Sequence, residues 1–194
     1  MRLGALLPLM VLVVAAPAAA QETQTFRSEF GYSLDLPANW TRVSDRALDV
    51  VRQSGATAAR GGVYEAGYQV ADAPWPAPPM VTLASQQLPR KVTLEEFAAE
   101  FSPEARQEAQ KALDDMTDVD VSVGVPRWDA RNQIGWVRME TGSNRGAPTV
   151  VLAVTMLHPA RDRVIILVYY GVQREDEARV RAQVLAIARS LRVD

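Results

Sequence analysis

Few side chains in this sequence could carry chemistry, and they do not converge. His158 is the sole His, so a Ser-His-Asp triad would have to use it, yet no Gly-x-Ser-x-Gly elbow is present to present a Ser. It sits just before Pro159, at the end of an apolar run, where a surface or turn His is the simpler assignment. A zinc site without Cys would need more than one His. Asp114, Asp115, Asp118 and Asp120 offer hard oxygen ligands at a spacing that could hold Ca²⁺. The Gly and the later Glu of an EF-hand loop are missing, so a solvated acidic helix end accounts for them better. Glu95 and Glu96 are adjacent, and neighbours on a helix do not face each other, which rules them out as an acid/base pair. Arg127, Arg131, Arg138 and Arg145 could line one wet surface; with acids interspersed, a solvated face is expected. No catalytic residue, metal ligand or cofactor is assigned on these grounds.

One feature suits binding rather than catalysis. Ala71–Met80 reads ADAPWPAPPM, where Pro74, Pro76, Pro78 and Pro79 force an extended path without backbone donors. Such a segment loses little entropy on docking, and an exposed Trp is a common anchor. Trp75, Pro76, Pro78 and Pro79, with Tyr64 and Tyr68 nearby, are therefore the candidate partner-binding residues. The alternative is that Trp75 tucks onto a sheet edge that the prolines protect from aggregation.

The elements that must position these residues centre on Thr149–Gly171. Two apolar strands, Thr149–Leu157 and Arg163–Tyr170, flank the polar turn His158–Asp162, and so short a turn requires an antiparallel pair. Val150, Leu152, Val154 and Met156 oppose Val151, Ala153 and Leu157; Ile165, Leu167 and Tyr169 oppose Val164, Ile166 and Val168. Both faces are apolar, as expected of central strands covered on two sides. Upstream, Gln21–Thr25 reads as a loose start. Phe26–Phe30 and Tyr32–Leu36 form a hairpin around Gly31, Pro37 ends it, and Trp40 can fold back on the core edge. Residues 42–51 fit helix or strand equally. Gln53–Gly62 is a Gly-rich loop, Val63–Val70 alternates as a strand, and Val81–Gln87 follows with Val81 and Leu83 inward. Arg90–Asp115 has helical period, with a capping box at Thr93 and Glu96 and a restart at Pro103. Asp118–Val125 places Val119, Val121, Val123 and Val125 inward and a wet face outward, as near a sheet edge. Asn132–Glu140 is a further strand. Glu175–Arg192 is the closing helix, its acids first and Arg189 and Arg192 last, with Val180, Val184, Ile187, Ala188 and Leu191 buried.

The first residues carry an address. Arg2, the apolar run Leu3–Ala16 and the small site Ala18-Ala19-Ala20 make a secretory signal peptide, and the run is shorter than the roughly 20 residues of a membrane span. Cleavage after Ala20 leaves 174 residues, a length suited to one domain over 21–194. The rival is retention of the leader as an anchor. The chain has no Cys, so neither disulfides nor a lipidated Cys contribute. Without Arg2 there are 20 basic residues against 23 acidic ones, which argues against nucleic acid as a partner.

Phe26-x-x-x-Phe-Gly-Tyr-x-Leu-x-Leu-Pro-x-x-Trp40, the helix start Thr93-Leu-Glu-Glu-Phe97 and the ending Ser190-Leu191-Arg192 resemble PsbP-like and DcrB-like domains, whose fold the Ran-binding Mog family shares. The resemblance implies an α+β fold, an α/β/α sandwich around a mainly antiparallel sheet with helices near 93–115 and 175–192. It also implies a non-catalytic domain that docks on larger assemblies. No functional residue carries over, because the matched positions are hairpin, turn and cap residues, and ADAPWPAPPM departs from the pattern. The expectation is thus a periplasmic or secreted interaction or assembly domain with an envelope protein partner. Two alternatives are a small-ligand binder or hydrolase whose site forms only in the fold, and a periplasmic chaperone, which would show an apolar groove beside an open sheet edge.

Overall fold

The structure, a computed structural model, describes residues 22–54, 62–70, 80–114, 121–141, 149–172 and 177–193. Its centre is the predicted hairpin, β9 (Thr149–Leu157) and β10 (Arg163–Val172), paired antiparallel with Leu167 opposite Val154. β10 also pairs antiparallel with β5 (Met80–Gln87), so its main chain is bonded on both sides. The sheet continues through β4 (Gly62–Val70) to β3 (Trp40–Arg42) at one end. At the other it runs through β8 (Ile134–Thr141) to β6 (Val121–Val123), with β7 (Arg127–Asp129) also on β8. A second, smaller sheet has the order β1 (Thr23–Arg27), β2 (Tyr32–Pro37), β11 (Arg192–Val193).

Alternation sorts the side chains into two layers of contact. Leu83, Leu152, Val154, Met156, Ile165, Leu167 and Tyr169 meet Tyr32, Leu34 and Leu36 of β2 and Val180, Val184, Ile187 and Ala188 of helix α4 (Glu177–Arg189) in one core cluster. On the opposite face Ala84 and Tyr64 pack with Leu48 of helix α1 (Asp45–Ser54). Further along that face, Phe97 of α2 (Leu94–Ala99) and Phe101 meet Trp128, the last two rings stacked at 5.7 Å. Helix α3 (Pro103–Asp114) follows, its Gln110 bonded to the main chain of β6. The fold is the expected α+β sandwich, with the difference that α4 shares its layer with a small sheet.

Several boundaries moved for local reasons. Residues 42–51 divide into the end of β3 and α1. The capping box holds as expected, the Thr93 hydroxyl accepting from the Glu96 amide and Glu96 from the Thr93 amide, and Pro103 opens α3. The N-terminal residues from Thr23 are strand rather than a loose start, because β2 supplies a partner. Gly31, at φ 77°, makes the turn that a side chain would strain. β6 stops at Val123, and Val125 is 45% exposed rather than inward; residues 118–120 lie outside the described ones, as do 55–61 of the Gly-rich loop. Arg192 is not in the last helical turn. It leaves the helix, joins β2 as β11, and makes a two-pronged bond to Asp35 at 2.7 and 2.5 Å, while the Ser190 hydroxyl accepts from the Asp35 amide at 2.7 Å.

Two outcomes follow from these contacts. A Cβ on Gly135 would lie 2.0 Å from the Phe101 ring, so Gly135→Ala should destabilise by about 1–3 kcal/mol through overpacking, read as a lower urea midpoint. Adding Phe101→Ala should cost less in the Gly135→Ala background than in the wild type. The Arg192 guanidinium, with help from the Thr25 hydroxyl, holds the Asp35 carboxyl below its ordinary range. A lowered folded value stabilises above the unfolded pKa of about 3.9 and is lost as pH falls through the folded value. The difference in thermal midpoint between wild type and Arg192→Ala should therefore be greatest near neutrality and shrink below about pH 4.

Candidate functional site

A β-bulge decides what the end of the sandwich looks like. In β4, Tyr64 pairs opposite Ala84 and Ala66 opposite Leu83, with the register shifting between them. The extra residue is Glu65, and it breaks the alternation. Tyr64 then faces α1, whereas Ala66 and Tyr68 face the main core. Glu65 is released toward the β1–β2 turn. There its carboxylate accepts from two hydroxyls, Ser28 at one oxygen and Tyr32 at the other, the latter at 2.6 Å.

Each partner is fixed by its own element. Ser28 also accepts the Phe30 amide at 3.0 Å, a local turn bond that sets its hydroxyl. Tyr32 is wholly buried on β2, and burial, followed by the Glu65 contact, pushes its hydroxyl far above the ordinary tyrosine range. It is therefore a donor at any physiological pH. The His158 ring stands edge-on to Tyr32 at 6.4 Å. His158 ends β9 as expected but is buried, 9% exposed, not on the surface. Its Nδ1 accepts the Ala160 amide at 3.1 Å, and its buried Nε2 has no hydrogen-bond partner among the described residues. Arg163 completes the cap: it donates to Ser85 at 3.1 Å and Gln87 at 2.8 Å, and its guanidinium lies 3.8 Å over the Phe30 ring.

Beside this cap lies an open cleft of about 420 Å³, between the β1–β2 turn, β4 and the start of α1. Arg27, Glu29, Arg42 and Asp45 sit around it, and Phe30 and Val63 give it apolar surface. The chemistry available is limited. The Ser28 hydroxyl is held by the Glu65 carboxylate, and His158 bonds through Nδ1 to the β9–β10 turn and touches Tyr32 only ring to ring, so it is not paired with Ser28 as a base. No group of three His, Asp or Glu among the described residues could hold a metal ion. No helix among them is long and apolar enough to cross a membrane.

The binding residues singled out from sequence fare differently. Tyr64 and Tyr68 are buried, 6% and 5% exposed, and the bulge puts them on opposite faces, so they do not form one surface. Trp75, Pro76, Pro78 and Pro79 lie outside the described residues. Asp115, Asp118 and Asp120 do too, while Asp114 accepts from Gln110 at 2.8 Å. Glu96 serves its cap and pairs with Arg90 at 2.7 Å, and that guanidinium, then the Thr93 amide, hold its carboxyl down at about 2. Arg138 is shared between Glu140 at 3.1 Å and Glu177 at 3.0 Å. Trp40 folds onto the core against Tyr169, as expected. Ser28, Tyr32 and Glu65 were not marked by sequence as a group. Their one signal is a lone carboxylate inside a strand of mostly apolar residues.

No family model and no curated protein matches this sequence. Among solved structures, the chain is similar to the solution structure of the cyanobacterial PsbP (CyanoP) of Synechocystis sp. PCC 6803. That match has a TM-score of 0.53 at 14% identity and covers 94% of this chain and 99% of that one. The Saccharomyces cerevisiae Ran-binding protein Mog1p matches at 0.45 with 6% identity, over 90% and 96% of the two chains. LpqN of Mycobacterium tuberculosis, involved in cell envelope biogenesis, matches at 0.46 with 14% identity, over 89% and 90%. The fold of PsbP is thus the fold of this chain, as the resemblance implied.

The Tyr32–Glu65 bond gives a direct test of a structural role for the cap. Tyr32→Phe removes one donor from a half-buried carboxylate and should cost about 1–3 kcal/mol at pH 7, measured by urea unfolding. Ser28→Ala should cost less, because Ser28 sits in an open turn.

Proposed function

We propose that this chain is exported by its N-terminal leader and works in the cell envelope as a non-catalytic interaction or assembly domain, with residues 21–194 as one folded unit. The observation that carries this reading is the engagement of Glu65. Where the structure has a cleft lined with ionisable groups, the carboxylate at its inner end accepts from Ser28 and Tyr32. It thereby ties the small sheet to the large one. A catalytic carboxylate needs its oxygens turned toward a substrate; here they are turned inward.

Further support comes from the PsbP fold over nearly the whole of both chains. The leader, with its small-residue site at Ala18–Ala20, supplies the address. Within this reading the Pro-rich segment, through Trp75, Pro76, Pro78 and Pro79, contacts the partner. Tyr68 and Tyr64 serve it indirectly, by anchoring on two faces the strand that runs into it. The partner is an envelope protein, and no cofactor is needed.

The test uses the full chain expressed with its own leader and captured from the periplasm. The recovered protein should begin at Gln21 by mass spectrometry and bring down envelope proteins. Trp75→Ala should weaken that capture while leaving the thermal midpoint nearly unchanged. A large fall in the midpoint would assign Trp75 to the core instead, and full-length protein fixed in the membrane would contradict the leader's removal.

A further inference from the structure

Among the described residues the small sheet ends on β1, which is paired on one side only. In its ladder the Ser28 amide donates to the Tyr32 carbonyl at 2.8 Å and the Ala38 amide to the Glu22 carbonyl at 2.9 Å. Bonded and non-bonded pairs alternate along an antiparallel pair, so Gln24 and Phe26 also bond inward to β2. Thr23 and Thr25 then direct their N–H and C=O groups away from it, and both residues are exposed. Among the described residues no other strand lies along that side.

Proteins blunt such edges with short strands, prolines or lysines. The other terminal strands here follow that habit, since β3 and β6 have three residues each and β11 two. β1 has five, Thr-Gln-Thr-Phe-Arg, without Pro or Lys. At its Arg27 end opens the cleft described above, where Val63 is 48% exposed beside Phe30. Around the cleft two guanidiniums, Arg27 and Arg42, face two acids, Glu29 and Asp45, once Glu65 is counted as engaged inside.

We propose that β1 is a strand-addition site: an extended, uncharged segment of a partner polypeptide pairs along Thr23–Arg27 and places an apolar side chain in the cleft over Phe30 and Val63. Open main-chain groups of a strand edge are matched by another strand's main chain, and side-chain pockets supply the preference. The balanced charge around the cleft selects against strongly acidic or basic segments. This rests on the reading of the chain as an interaction domain, and it names a surface separate from the Pro-rich segment.

The probe is the peptide acetyl-Thr-Val-Thr-Phe-Thr-Val-amide, titrated into the isotope-labelled mature chain while amide shifts and hydrogen exchange are followed. Saturable binding should slow exchange at Thr23 and Thr25 by about tenfold or more. Thr25→Pro removes a donor that the β1–β2 ladder does not use, so it should abolish binding with the thermal midpoint nearly kept. Thr25→Val, which loses only the hydroxyl bond to Asp35, should bind as the wild type does. Thr23→Pro repeats the test should Thr25→Pro fail to fold. Absence of saturable binding at about millimolar peptide, binding unaffected by the prolines, slow exchange of Thr25 in the free protein, or a concentration-dependent dimer protecting the same amides would each overturn the proposal. Envelope capture by Trp75 is read separately, so either idea can fail alone.

Discussion

Everything in this structure is arranged about a strand paired on both edges and buried on one face, with Val164, Ile166 and Val168 half-buried on the other. β10 is hydrogen-bonded to β9 on one side and β5 on the other, and Ile165 and Leu167 are fully buried. Its other face carries Ile166, packed toward the α1 layer. A strand apolar on both faces cannot be satisfied by one layer. The sheet must be covered twice, by β2 with α4 on one face and by α1, α2 and α3 on the other. The burial of Tyr32, the bulge in β4 and the position of His158 are consequences of closing the first of those layers.

That closure explains why the polar groups near the cleft look like a site and behave as a clasp. A sandwich has ends as well as faces, and at its ends side chains of both kinds meet. Tyr32 must bury its ring between the sheets, and a buried hydroxyl needs an acceptor. Glu65 supplies it because the bulge turns one extra residue out of the alternation. Arg163 lies over one face of the Phe30 ring at the same end. The apparent convergence of Ser, Tyr, Glu and Arg is therefore what a paired polar cap requires, while the Nε2 of the buried His158 has no hydrogen-bond partner among the described residues.

Sequence pattern revealed the parts of this arrangement that depend on neighbours along the chain. The central hairpin and its facing came directly from alternation, the capping box from two residues three apart, and the buried stripe Val180, Val184, Ile187 and Ala188 from helical period. What stayed hidden depends on partners far away in sequence. Nothing local marks Glu65 as the acceptor for residues 33 and 37 positions earlier. The bulge that separates Tyr64 from Tyr68 is an event of pairing with β5, not of composition, and plain alternation would set the two rings on one face. β7 and β11, three and two residues long, exist only because β8 and β2 hold them. The resemblance to PsbP-like domains was legible for the same reason as the hairpin. Its motifs are turns, caps and strand starts, which constrain architecture and leave the binding surface unspecified.

The bond between Arg192 and Asp35 spans 157 positions, and it has a bearing on when the molecule becomes complete. β2 gains its second neighbour only from residues that are synthesised long after it. Until they arrive, one flank of a strand that carries the core residues Tyr32, Leu34 and Leu36 stands unpaired. The time spent in that unfinished condition is set by the closing of the largest loop in the fold, a slow class of event. During that interval the chain is at its most adhesive.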